Sequence, residues 1–168
     1  MKKLWLLRHA KSDWDTGAAD FDRPLKKRGR KSSDRLGAWL AERGECPERI
    51  LCSPAARAVA TLERLVAAAG WSPENVIRDR RLYGADIEDF RAVLSDHAGN
   101  AEHVMVVGHN PGLEDLLRDL VPALTTPDDG KLLPTAALAS LTIKTDWHAL
   151  EANCAQLDWL QRVRELNH

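Results

Sequence analysis

Leu4-Trp5-Leu6-Leu7-Arg8-His9 decides how this chain is read: four apolar residues without a break, then an arginine and a histidine. A continuous run this short suits a strand buried on both faces. Two further runs repeat the design. Arg49-Ile50-Leu51-Cys52 leads into Ser53-Pro54, and His103-Val104-Met105-Val106-Val107 leads into Gly108-His109-Asn110. Segments of helical spacing lie between them. Leu36, Trp39 and Leu40 mark one face of a helix over 28–43 that Gly44 stops. Val59, Leu62, Leu65 and Val66 mark a second helix ending near Gly70, with Ser53 read as its cap and Pro54 at its first position. A third helix is expected from near Asp86 through Leu94, and a fourth after Pro111 with Leu113, Leu116, Leu117 and Leu120 on one face. Ala137 to Ile143 alternates as a strand does, and Ala155 to Leu166 reads as a terminal helix. Strands alternating with helices indicate an α/β sheet covered on both faces.

The 168 residues suit one domain spanning 1–168, because no repeat, low-complexity tract or linker divides them. With 44% hydrophobic and 29% charged residues, a disordered chain is excluded. The 24 basic and 25 acidic residues nearly cancel, which excludes a general nucleic-acid binder. A local basic run, Lys26, Lys27, Arg28, Arg30 and Lys31, reads as a solvated helix start in preference to a docking patch. Three widely spaced cysteines (Cys46, Cys52, Cys154) argue for reduced thiols and a cytoplasmic protein. The apolar run after Met1-Lys2-Lys3 is too short for an export signal, and no stretch approaches a membrane span. A soluble protein without membrane or nucleic-acid partners is expected.

In α/β sheets ligands bind beyond the carboxyl ends of the strands. The first run delivers Arg8 and His9 there. The second delivers Ser53, with Arg57 just inside the next helix, and the third delivers His109. A neutral imidazole is a competent phosphoryl acceptor, and guanidinium groups match phosphate oxygens in pairs. The pattern assigns His9 as nucleophile, Arg8 and Arg57 as phosphate clamps, and His109 as a further donor. The positive charges are expected to lower the pKa of His9.

Leu7-Arg8-His9-Ala10, Arg23-Pro24-Leu25 with Gly29, Ser53-Pro54-x-x-Arg57-Ala58-x-x-Thr61 and Gly108-His109-Asn110-Pro111-Gly112 together resemble the histidine phosphatase (phosphoglycerate mutase-like) superfamily. The small size and Pro134-Thr135-Ala136-Ala137 resemble its phosphohistidine phosphatase SixA branch. The resemblance implies a three-layer α/β/α sandwich with a mostly parallel central sheet. It also implies a covalent phosphohistidine on His9, phosphate binding by Arg8, Arg57 and His109, and no metal or other cofactor. Arg23 is a further pocket candidate, and Trp14 could border the pocket.

Two departures stand out. Ala10 replaces the family's usual glycine, which requires that residue 10 not adopt a positive φ. Many members also carry a leaving-group acid where this chain has Gly84, in Arg81-Leu82-Tyr83-Gly84-Ala85-Asp86. Asp86, Glu88 and Asp89 lie nearby, and helix capping is their preferred reading. An alkyl phosphate leaves as a strong base and needs a proton donor, whereas a phosphoimidazole does not. Hydrolysis of protein phosphohistidine is therefore favoured. A phosphomonoesterase for a small phosphorylated metabolite is the alternative, and a non-catalytic phosphoprotein-binding module is a more distant one. A cysteine phosphatase fails because only four residues separate Cys52 from Arg57. A zinc hydrolase lacks paired histidine ligands.

Overall fold

The computed structural model describes residues 1–166. Its six strands are β1 (Lys2–Arg8), β2 (Arg49–Cys52), β3 (Val76–Arg78), β4 (His103–Gly108), β5 (Leu138–Ile143) and β6 (Ala155–Gln161). They form one sheet in the order β3-β2-β4-β1-β5-β6. The pairs β3–β2, β2–β4 and β4–β1 are parallel, whereas β1–β5 and β5–β6 are antiparallel. Only β5 therefore runs against the rest, as a mostly parallel sheet requires.

The alternation of β1 sorts two cores. Leu4 and Leu6 face one side with Val104 and Val106 of β4, under α3 (Ile87–His97) and α4 (Gly112–Leu120). Trp5 and Leu7 face the other with Met105 and Val107, under α1 (Lys27–Arg43) and α2 (Ala56–Ala69). Both faces of β1 are fully buried, which is why its sequence is apolar without alternation. Trp5 can be buried because its indole N–H donates to Ser140 Oγ at 3.0 Å. The fold is the expected three-layer α/β/α sandwich. Helices α1 and α2 follow β1 and β2 on one face, while α4 follows β4 on the other. The strand order therefore switches beside β4, and the crevice for a ligand opens there.

Four sequence expectations need correction. The terminal segment is not a helix: Ala155–Gln161 is strand β6, and only Val163–Glu165 forms a short 3-10 turn. The register of β5 and β6 shifts between Ser140 and Leu141, where Trp159 and then Leu157 are the partners. This bulge leaves Asp158 out, so Leu157 and Leu160 pack on the same core although three residues apart. That spacing imitates a helix. Strand β3, a three-residue edge, was not expected at all. Ser53 does not cap α2. The helix begins at Ala56 with Ala55 as its cap residue, so Pro54 also lies outside it. The third helix begins as expected, with Asp86 and Asp89 forming a reciprocal capping box.

Candidate active site

His9, Ser53 and His109 each follow the last residue of a strand, and backbone hydrogen bonds hold the three ends together. The His9 N–H donates to the Gly108 carbonyl at 3.2 Å, and the Ser53 N–H to the Val107 carbonyl at 3.0 Å. The Ala136 N–H bridges the carbonyls of Arg8 and His9, each at 3.1 Å. This accounts for the Pro134–Ala137 segment. A cavity of about 550 Å³ opens at these ends, and all five expected site residues, Arg8, His9, Arg23, Arg57 and His109, line it. A second cavity of about 450 Å³, bounded by Leu62, Val66, Trp71 and Val76, lies under α2 and has no histidine in its wall.

His9 is 6% exposed and its tautomer follows from its neighbours. Nδ1 lies 2.7 Å from the Ala10 carbonyl oxygen, which can only accept, so Nδ1 carries the proton and Nε2 the lone pair. Arg57 Nε donates to that lone pair at 3.3 Å. The His9 pKa falls to about 3, foremost through burial, and then through His109, Arg57 and Arg8, against the Ala10 carbonyl. The expectation was that the arginines would lower it. Burial does more.

Thr61 explains the spacing of the Ser-Pro-x-x-Arg-Ala-x-x-Thr segment. One turn after Arg57, its hydroxyl donates to the Arg57 carbonyl at 2.7 Å and accepts the Ala10 N–H at 2.9 Å. The residue after His9 is thereby pinned to α2. Ala10 is not among the described non-glycine residues with positive φ, so the backbone at residue 10 accepts alanine without strain.

Ser53 acts on His109 instead of on the helix. Its hydroxyl oxygen accepts the Ala55 N–H at 3.3 Å and lies 2.8 Å from His109 Nε2. The hydroxyl proton is free to donate to Nε2, and with that bond made the ring proton sits on Nδ1. His109 Nδ1 has no hydrogen-bond partner, and neither has Arg8 Nε; both atoms are buried. Burial, and next Arg57, lowers the His109 pKa to about 4, so the ring is neutral.

The other flank holds an acid that sequence reasoning missed. Asp20, in a short 3-10 turn over 20–22, accepts from Arg23 Nη1 at 2.5 Å, Arg57 Nη2 at 3.2 Å and the Tyr83 hydroxyl at 2.5 Å. Its backbone carbonyl also takes Arg57 Nη1 at 2.6 Å. These contacts, led by Tyr83, hold the Asp20 carboxyl well below the usual carboxylate range. The only hint in the sequence is its position three residues before Arg23. Trp14, 69% exposed, also lines the cavity and lies 3.7 Å over the Arg23 guanidinium. Asp86, Glu88 and Asp89 stay outside: the first and last cap α3, and Glu88 pairs with Arg91 at 2.9 Å. Gly84 reaches the cavity wall at φ +73°, in open space.

Chemically, the cavity offers three guanidinium groups, an imidazole N–H donor and a deprotonated ring nitrogen. That set can hold a tetrahedral dianion against a nucleophile. Among the described residues no group of three or more His, Cys, Asp or Glu could hold a metal ion. No described helix is long and apolar enough to cross a membrane.

Comparison with known proteins agrees with this geometry. An uncharacterised protein of Mycobacterium tuberculosis is 32% identical over 160 residues, covering 90% of this chain and 96% of the relative. The phosphohistidine phosphatase SixA of Escherichia coli is 29% identical over 143 residues, covering 84% of this chain and 85% of the relative. A solved structure of the protein histidine phosphatase SixA complexed with tungstate superposes with a TM-score of 0.81. It is 25% identical and covers 98% of this chain and 99% of the other. The sequence pattern of the histidine phosphatase superfamily (branch 1) matches residues 4–93. With strand ends, cavity and sequence in agreement, this chain belongs to the histidine phosphatase superfamily and is a phosphatase, acting on phosphorylated compounds.

Proposed function

We propose that the phosphatase hydrolyses phosphohistidine on proteins, in two displacements through a phosphohistidine on His9. In the first, the His9 Nε2 lone pair forms the new N–P bond while the substrate's N–P bond breaks, its electrons returning to the departing imidazole. Arg8, Arg23 and Arg57 carry the equatorial oxygens and His109 Nδ1–H donates to one of them. Arg57 Nε must leave His9 Nε2 for a phosphoryl oxygen, which frees the nucleophile as the target arrives. In the second displacement water attacks phosphorus and His9 Nε2 takes back its electron pair. The proton on Nδ1, held to the Ala10 carbonyl, lets His9 leave as neutral imidazole. A substrate imidazole protonated on its distal nitrogen leaves in the same neutral form.

The observation that carries this reading is the state of Asp20. It is the carboxylate at the cavity, and two arginines and a tyrosine hold it ionised. It has no proton to give an alkoxide, so a substrate that supplies its own good leaving group fits and an alkyl phosphate does not.

The test is hydrolysis of phosphohistidine, phosphoserine and p-nitrophenyl phosphate side by side in EDTA, by wild type and His9→Ala. Turnover of the first and third but not phosphoserine, lost in the variant, supports the reading. Equal turnover of phosphoserine would favour a small-metabolite phosphomonoesterase.

A further inference from the structure

The basic run at the start of α1 lies where a protein substrate would meet the cavity. Gly29 lets the helix sit directly on the segment after His9, since a Cβ there would overlap the Lys11 carbonyl oxygen. The Lys26 N–H donates to that same carbonyl at 2.9 Å, and Lys11 itself lines the cavity. The first turn of α1 rises only about 5 Å from this rim, so Lys27 and Arg28 stay beside it, with Arg30 and Lys31 following.

These cations differ from those further along α1 and α2. Arg43 pairs with Glu45 at 2.8 Å, and Arg64 pairs with Asp34 at 2.7 Å. Among the described residues, Lys11, Lys26, Lys27, Arg28, Arg30 and Lys31 have no carboxylate within ion-pair distance. Of the acids of the adjoining loop, Asp13 accepts the Asp15 N–H at 2.9 Å and Asp20 holds Arg23 and Arg57, while Asp15 and Asp22 are exposed and pair with none of these cations. In a chain of net charge −1, six cations without a carboxylate partner thus lie close together on the side of the cavity where Lys11 forms the wall. Trp14 stands in the same mouth, exposed. Tryptophan and arginine are the residue types enriched at protein-binding surfaces, and the lysines add a positive potential that complements an acidic partner.

We propose that Lys26 to Lys31, with Lys11 and Trp14, form a docking surface for an acidic protein face surrounding the target histidine. The inference rests on the phosphohistidine reading and adds the partner's chemistry: Asp and Glu flank the phosphorylated residue. A solvated helix start, the reading favoured from sequence alone, would show no such preference.

Two synthetic peptides test it, each with one phosphohistidine, one flanked by Asp and Glu and the other by Asn and Gln. Wild type should hydrolyse the acidic peptide with about tenfold higher kcat/KM at low salt, the preference collapsing near 0.5 M salt. The variant Lys27→Glu/Arg28→Glu/Lys31→Glu should lose the preference while hydrolysing free phosphohistidine at the wild-type rate. Equal kcat/KM for both peptides in wild type, or a preference that survives charge reversal, overturns the docking surface. Binding of the unphosphorylated peptides, by anisotropy of an attached fluorophore, reads the surface without turnover. The acidic one must bind wild type more tightly and lose that advantage in the variant. If phosphohistidine is not hydrolysed yet this binding difference holds, the function reading fails and the surface stands.

Discussion

The two flanks of the cavity are prepared for an anion in opposite ways. On one, Arg23 and Arg57 are already satisfied by an internal carboxylate, Asp20, at 2.5 and 3.2 Å. On the other, Arg8 Nε and His109 Nδ1 are buried donors with nothing to bond. A buried unsatisfied donor costs roughly 1–3 kcal/mol, which an arriving phosphoryl oxygen would recover. The first flank instead exchanges one anion for another, so affinity there is the difference between Asp20 and the phosphoryl group. The comparison separates a flank that attracts phosphate from one that limits how tightly it is kept.

The largest expected effects fall on the groups both flanks serve. His9→Ala should lower kcat/KM by at least about 10⁴-fold, the scale for removing a nucleophile. Arg57→Ala should lower it about 10²–10³-fold, because a charged donor to the transition state is lost. On the unsatisfied flank, Ser53→Ala releases the His109 tautomer and should weaken orthophosphate binding and kcat/KM about tenfold. On the satisfied flank the sign should reverse. Asp20→Asn removes the competing charge, and tungstate should bind about tenfold more tightly by calorimetry. Weaker tungstate binding in this variant would mean that Asp20 only orients Arg23 and Arg57, and the contrast between flanks would collapse.

A smaller effect concerns stability and pH. His9, His103 and His109 are held at about 3, 4 and 4, against an ordinary value of 6.5, in each case foremost by burial. The unfolded chain therefore binds more protons than the folded one below 6.5, and stability falls as pH drops from there towards 4. His103 lies outside the cavity, edge-on to Trp5 at 4.3 Å. His103→Gln should remove about a third of that slope, measured by urea unfolding across pH, with catalysis untouched. An unchanged slope would place the proton uptake elsewhere.

What could be read from sequence divides along the same physical lines. Strands buried on both faces announce themselves as apolar runs, so β1, β2 and β4 and the residues at their ends were legible. So was the meeting of Arg8, His9, Arg57 and His109, because strand ends in a parallel sheet share one edge. Strand β6 was not, because its bulge at Asp158 sets Leu157 and Leu160 three apart on one core, and Val163 and Leu166 continue that spacing. Only the unpaired edge of β5, a tertiary fact, decides between strand and helix there. Edge strand β3 is too short to display a period. Asp20 was invisible for another reason: its partners Arg57 and Tyr83 are distant in sequence, and a lone acid in a loop has no pattern. Ser53 was recognised as a hydrogen-bonding residue at a helix start, but the nearness of His109 redirects its hydroxyl.

The central claim is that the phosphoryl group passes through His9. The direct test is to mix enzyme with phosphohistidine labelled on phosphorus, quench in alkali within one turnover, and map the labelled peptide. The account predicts an alkali-stable, acid-labile label on His9 in wild type and none in His9→Ala. Label on any other residue, or full turnover with no labelled enzyme at any quench time, would contradict it.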